Sequence, residues 1–288
     1  MMMELARRTL SQCSGLLLDL NGVFYVDRDA IAGGREAIEH LRRRGIPCRY
    51  TTNTTTSSLD TLHKKLTGMN LPIEKNEIFT PAQAAVLYLR REFGDDPACH
   101  LLLDEDTKRD FADFRLDHTN PDAIVIGDIG DRWNYQIMQR LFEMVTFGAR
   151  IIALHKGRYW QAPDARNPGN ETNAATYASG ATAPGLRLDI GAFIAGLEYA
   201  TGKEAVVIGK PEPSFFEMAR RDLNLPAESI AMIGDDIESD VGGAQRAGMQ
   251  GVLVKTGKYR PELVARSSVQ PDAVLESIAD LTQLIRSE

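Results

Sequence analysis

Cysteine is scarce in this 288-residue chain: Cys13, Cys48 and Cys99 stand far apart and form no CxxC pair. An odd, sparse set without zinc-type spacing excludes a disulfide scaffold and a structural zinc cluster, and it fits a reducing cytoplasm. Long apolar runs are lacking too. No stretch approaches the ~18 uninterrupted apolar residues of a spanning helix, so no membrane is expected as a partner. The amino-terminal MMMELARRTLSQCSGLLLDL sets Arg7 and Arg8 before an apolar run, as a signal peptide does. That run is too short, has no small-residue cleavage site and is broken by Asp19, so it reads as the first core strand. A surplus of positive charge is also missing, since 33 Lys+Arg face 40 Asp+Glu for a net charge of −7. Nucleic acid is therefore not the expected partner. An anionic substrate would need a locally positive site, with a metal, to overcome that field.

What is present is ordinary for a globular chain: 43% hydrophobic and 25% charged residues, in a length that allows one large domain or two. Short apolar runs rich in branched residues cover Leu16–Leu20, Ile46–Thr52, Ala205–Gly209, Ile230–Gly234 and Gly251–Lys255. Helix-like stretches lie between them at Gly34–Arg44, Ser214–Leu223 and Val241–Gly248. This alternation predicts an α/β fold with a parallel sheet covered on both faces, whose ligand site lies beyond the carboxyl ends of the strands. Residues 81–204 have an α/β pattern of their own, with strand-like HLLLD, AIVIG and RIIAL and helix-like PAQAAVLYLRREFG and NYQIMQRLFEMVTFG. The expected organisation is a discontinuous core, 1–80 and 205–288, interrupted by an inserted domain, 81–204. Within the insertion, 164–185 is rich in Gly, Ala, Asn, Thr and Pro without periodicity and reads as a flexible loop.

Four motifs fall at predicted strand ends. In LLLDLNGVFY, Asp19 precedes a turn at Asn21 and Gly22; a carboxylate there can bind a metal or attack phosphorus, and it can equally be a turn aspartate. In RYTTNTTT, the Thr52 hydroxyl and the amides around Asn53 can hold phosphate oxygens, or the strand simply runs into an Asn turn and a helix cap. In VVIGKPEPSFF, Lys210 is fixed by the following prolines and suits neutralising a carboxylate or phosphate; the plainer alternative is a surface lysine before a helix. In AMIGDDIESDVGGAQRAG, Asp235, Asp236 and Asp240 crowd negative charge in a way that suits a hard cation such as Mg²⁺, with Asp240 as a helix cap the alternative.

Taken in order, Asp, Thr, Lys-Pro and GDDxxxD resemble the haloacid-dehalogenase-type phosphotransferases over nearly the whole chain. The large insertion between the Thr and Lys motifs, with TTNT and GKPEPSFF, is similar to subclass IIA of that family, the NagD and 4-nitrophenylphosphatase type. The resemblance implies a Rossmann-like core, an inserted cap domain and a Mg²⁺ site. It makes Asp19 the nucleophile and a metal ligand, with Asn21 binding Mg²⁺ through its backbone carbonyl. Asp235 would complete the protein ligands, and Asp236 or Asp240 would act directly, through water or one shell out. Thr52, Asn53, Gly22 and Lys210 would hold the transferring phosphoryl group, with Lys210 also restraining Asp19.

Asn21 departs from the pattern. Most phosphatases of the superfamily carry a second Asp there, which protonates the leaving alcohol and later activates water. Asn is nearly isosteric yet exchanges no proton at neutral pH. A branch of the subclass also lacks the Asp, having Ser. The expected activity is thus Mg²⁺-dependent hydrolysis of a small phosphorylated metabolite through an aspartyl-phosphate, with reduced turnover. The alternative is a phosphate-ligand binding or regulatory protein on the same fold. The cap would select the leaving group, with Arg158, Tyr159 and Trp160 as candidate contacts or cap core, and it is where a homo-oligomer would form. His155 is read as a replacement proton carrier or a structural histidine, Asp128 as a cap turn, and Asp104, Glu105 and Asp106 as a solvated acidic turn.

Overall fold

The computed structural model describes residues 2–162 and 185–285, so the segment expected to be flexible lies outside the described residues except for Gly185. Contacts divide the chain into two compact units, one of Met1–Thr52, Leu59–Thr80 and Lys210–Glu288, the other of Asn53–Ser58 and Pro81–Gly209.

The first unit is built on a six-stranded sheet in the order Ala273–Leu275, Gln250–Val254, Ile230–Gly234, Gly15–Asp19, Cys48–Thr51 and Ile78–Phe79. Every pairing is parallel. The two central strands, GLLLD and IAMIG, are buried at every residue, as a sheet covered on both faces requires. Helix Gly34–Arg43 turns Ala37, Ile38 and Leu41 inward on its 3.6-residue period. Helix Pro213–Leu223 starts on a proline, where no backbone donor is lost, and stops at Asn224 in the left-handed conformation. It buries Phe215, whose ring meets Phe79 edge-on at 5.3 Å. A helix over Met2–Ser11 precedes the first strand and was not expected.

The second unit carries a five-stranded, all-parallel sheet in the order Val206–Val207, Arg150–Ala153, Ala123–Ile126, Ala98–Leu102 and Arg115–Leu116. Helices Tyr135–Phe147 and Gly191–Thr201 bury Leu141, Met144, Val145, Ile194 and Leu197 against Ile124, Ile126 and Ile151. Asn134 caps the first of these helices by accepting the Ile137 amide at 3.0 Å. The fold class is α/β with parallel sheets, as expected. Two boundaries differ. The run Ala205–Gly209, expected as a core strand, pairs with Arg150–Ala153 in the second sheet, which moves the junction to Lys210. Residues 53–58 also belong to the second unit, where Asp106 accepts the Ser58 amide at 2.7 Å and the Thr107 hydroxyl bonds the Thr55 carbonyl at 2.8 Å. Asp106 is therefore a tether within that unit, not part of a merely solvated turn.

Candidate active site

Register brings the first-unit motifs together. Leu18 pairs with Ile233 and Asp19 with Thr51, so Asp19, Thr52 and Asp235 end three neighbouring strands at one rim of the sheet. Thr52 is buried there. Lys210 arrives from the chain crossing back into this unit, and the Lys210–Pro211 bond is cis. Its ammonium donates to Asp19 Oδ1 and, at 2.7 Å, to Asp240 Oδ1. All three side chains are buried.

The charges decide the protonation states. Burial would strip Lys210 of its proton, but Asp19 and Asp240 outweigh burial and raise its pKa, so it stays an ammonium. Asp19 is pushed up to about 7 by burial, against the pull of Lys210 and with the help of Asp240 and Asp235. Burial likewise lifts Asp235 to about 6, against a hydrogen bond from the Lys258 amide. One lysine does not balance three carboxylates, and the site is short of positive charge.

Asp19, Asp235 and Asp240 each offer an oxygen within 4.8 Å of the others. Asp235 Oδ1 is buried without a hydrogen-bond partner, a costly state for a carboxylate oxygen unless a cation meets it. Its Oδ2 accepts the Lys258 amide at 2.7 Å. Two glycines close on that oxygen: Gly22 at φ +88° and Gly257 at φ +57°. A Cβ on either would lie about 2 Å from Asp235 Oδ2, so only glycine fits at both places. The donor set and its cradle fit a hard, oxygen-preferring divalent cation.

Asp236 is not one of this set. Its Oδ1 accepts the Glu238 and Ser239 amides and caps the wide helical turn Ile237–Gly242, while its Oδ2 faces the Lys258 ammonium at 3.4 Å. Burial raises Asp236, but Lys258 and those amides outweigh it and leave its pKa below the ordinary value. The cap is thus Asp236, where Asp240 was the alternative. Asp240 spends its Oδ2 on the Asp236 amide at 3.2 Å and its Oδ1 on Lys210.

A family model described as haloacid dehalogenase-like hydrolase matches residues 16–116, and one described as HAD-hydrolase-like matches 207–281. Phospholysine phosphohistidine inorganic pyrophosphate phosphatase of Bos taurus is 36% identical over 282 residues, covering 96% of this chain and 95% of its own. Haloacid dehalogenase-like hydrolase domain-containing protein 2 of Homo sapiens is 36% identical, covering 91% and 92%. Among solved structures, a 4-nitrophenylphosphatase from Thermotoga maritima superposes with a TM-score of 0.79 at 24% identity, covering 96% and 99% of the two chains. The chain belongs to the haloacid dehalogenase-like hydrolase family. NagD of E. coli shares its fold, with a TM-score of 0.76 at 21% identity and coverage of 93% and 98%.

In this haloacid dehalogenase-like hydrolase the turn after the first strand carries an asparagine at position 21. Asn21 is exposed, bridges to Tyr25 through the backbone and brings no carboxyl group. The segment that holds the turn, Thr256 to Lys258, directly follows the expected strand Gly251–Lys255 and was missed as a functional element. The Thr256 hydroxyl donates to the Gly22 carbonyl, Gly257 packs on Gly22, and Lys258 supplies its amide to Asp235 and its ammonium to Asp236. A glycine in a strand-end T-G-K run was the available signal.

The remaining expected residues lie in the second unit. Asn53 is exposed. Arg158 is exposed and its carbonyl accepts the Asp189 amide at 3.2 Å. Tyr159 and Trp160 open strand Tyr159–Ala162, paired with Gly185–Leu188, and their side chains lie outside the described residues. His155 faces Asp189 at 3.8 Å. Burial lowers its pKa against the charges of Asp189 and Asp128. Asp128 accepts the Gly130 amide at 2.8 Å, a turn as expected. Among the described residues no helix is long and apolar enough to cross a membrane.

Proposed function

We propose that this chain is a Mg²⁺-dependent phosphatase that hydrolyses a small phosphomonoester through an aspartyl-phosphate on Asp19. The observation that carries the reading is the buried Asp19–Lys210–Asp240 array beside Asp235, whose Oδ1 lacks a partner. Asp19, Asp235 and the Asn21 carbonyl would hold the ion, with Asp240 completing the anionic ring. When bound, Mg²⁺ supplies the positive charge that neutralises the carboxylates and the phosphoryl oxygens.

Lys210 holds Asp19 Oδ1, and among the described residues no hydrogen bond engages Oδ2. Oδ2 attacks phosphorus in line; the P–O bond to the leaving alcohol breaks, and its electron pair departs with that oxygen. Thr52 and Lys210 orient and neutralise the moving phosphoryl group. Water then attacks phosphorus, phosphate leaves, and the Asp19 carboxylate returns. Neither step receives a proton transfer from Asn21. Leaving groups that depart as anions are therefore favoured, and breakdown of the acyl phosphate is slow. The names of the relatives, phosphatases among them, support the class of reaction.

A second reading, a phosphate-ligand binding protein with negligible turnover, rests on Asn21 alone. Release of 4-nitrophenol from 4-nitrophenyl phosphate separates the two. Mg²⁺-dependent release that disappears in Asp19→Ala supports catalysis; tight phosphate binding without release supports the binding role.

A further inference from the structure

An acidic chain gathers basic side chains around one cavity of its second unit. The cavity, about 420 Å³, is lined by His100, His118, Lys108, Arg140, Asn134 and Gln136 together with leucine and isoleucine side chains, and no Asp or Glu is among its lining residues. His100, in the middle of strand Ala98–Leu102, is 8% exposed. Its Nδ1 lies 3.0 Å from Nδ1 of His118, so one imidazole donates and the other accepts. Burial, His118, Arg140 and Lys108 together hold His100 down to about 4. Every charged neighbour acting on that imidazole has the same sign.

Lys108 is partly neutralised by Glu105, at 2.6 Å, on the side of an adjoining cavity of about 370 Å³. Arg140 is exposed and has no carboxylate partner among the described residues. It projects from helix Tyr135–Phe147, whose first turn also lines the cavity and adds the positive end of the helix dipole. The volume exceeds that of a bare oxyanion, and the apolar lining from Leu101, Ile137 and Leu141 would cover a carbon body. A divalent cation finds the wrong charge here; an anion finds complementary charge on several sides.

We propose that this cavity is an accessory site for a small organic phosphate, its charged head on Arg140, His118 and Lys108 and its carbon body on the apolar wall. The site is independent of the reading of Asp19. Phenylphosphonate, which a phosphatase does not hydrolyse, is the probe. Imidazole resonances of the intact chain are titrated with it, with and without Arg140→Ala, a surface change whose fold is checked by circular dichroism. The expected result is saturable movement of the His100 and His118 resonances, weakened at least about tenfold by Arg140→Ala, as for losing a hydrogen bond between charged groups. Lys108→Ala, already shared with Glu105, weakens it less. Three results overturn the proposal: unmoved imidazoles, movement unaffected by Arg140→Ala, or saturable binding of Zn²⁺ alone to the histidine pair in place of the phosphonate.

Discussion

Lys210 and Asp19, 191 residues apart in sequence, form a buried ion pair. The lysine is shared with Asp240, so one ammonium restrains two carboxylates, and it opposes the burial that pushes Asp19 up to about 7. Much of the site's chemistry follows from this single contact.

Lys210→Met should therefore cost more than activity. Removing one partner of a buried pair leaves uncompensated charge and typically costs about 3–5 kcal/mol. Urea unfolding without metal is expected to show a loss of that order, together with loss of phosphatase activity. A change within experimental error would mean that the pair contributes little.

The acidity of the rim makes stability depend on pH in a defined direction. Asp19 is raised to about 7 and Asp235 to about 6 from an ordinary 3.8, so the folded state binds more protons than the unfolded state between these values. Stability from these groups is fully present below 3.8 and is lost as pH rises through about 6–7. Metal-free protein should thus unfold at lower urea at about pH 8 than at about pH 5, and Mg²⁺ should recover the difference at the higher pH. Asp19→Asn should flatten the dependence. An equal fall in that variant would assign it to other groups.

Gly257→Ala places a methyl group 2.0 Å from Asp235 Oδ2 and 2.4 Å from the Gly22 backbone, at a positive φ. Left-handed strain alone is worth about 1–2 kcal/mol, and the clash adds to it. The expected outcome is a weaker apparent affinity for Mg²⁺ by isothermal titration and a lower unfolding midpoint. Unchanged Mg²⁺ affinity would separate the glycine cradle from the metal site.

Asn21→Asp restores a group able to give and take a proton. Steady-state kcat/KM for an alkyl phosphate is expected to rise ~10²–10⁴-fold, with a smaller rise for 4-nitrophenyl phosphate, whose leaving group barely needs an acid. Equal gains on both substrates would place the limitation elsewhere.

The central strands of the first unit were legible because a strand buried on both faces writes a continuous apolar run, and IAMIG coincides with Ile230–Gly234. VVIG reads the same way, yet joins the second sheet, because an apolar run does not state which neighbour it pairs with. Helix Met2–Ser11 is short, and the leucine run that follows it is the stronger signal in the sequence. Within GDDxxxD, composition alone does not divide labour among three aspartates. Backbone geometry does, giving the cap to Asp236 and the lysine to Asp240. Thr256, Gly257 and Lys258 lie more than 230 positions from Gly22, and only tertiary folding joins them.

The most direct test of Asp19 as the nucleophile is to trap its phosphorylated form. With Asn21 unable to activate water, the acyl phosphate should accumulate when 4-nitrophenyl phosphate and Mg²⁺ are mixed with the protein and quenched in acid. Borohydride then reduces a phosphorylated aspartate to homoserine, which peptide mass spectrometry locates. The expected result is conversion at Asp19 alone, matched by a burst of 4-nitrophenol near one equivalent of enzyme. Sustained 4-nitrophenol release with Asp19 unmodified, or with another carboxylate reduced in its place, would contradict it.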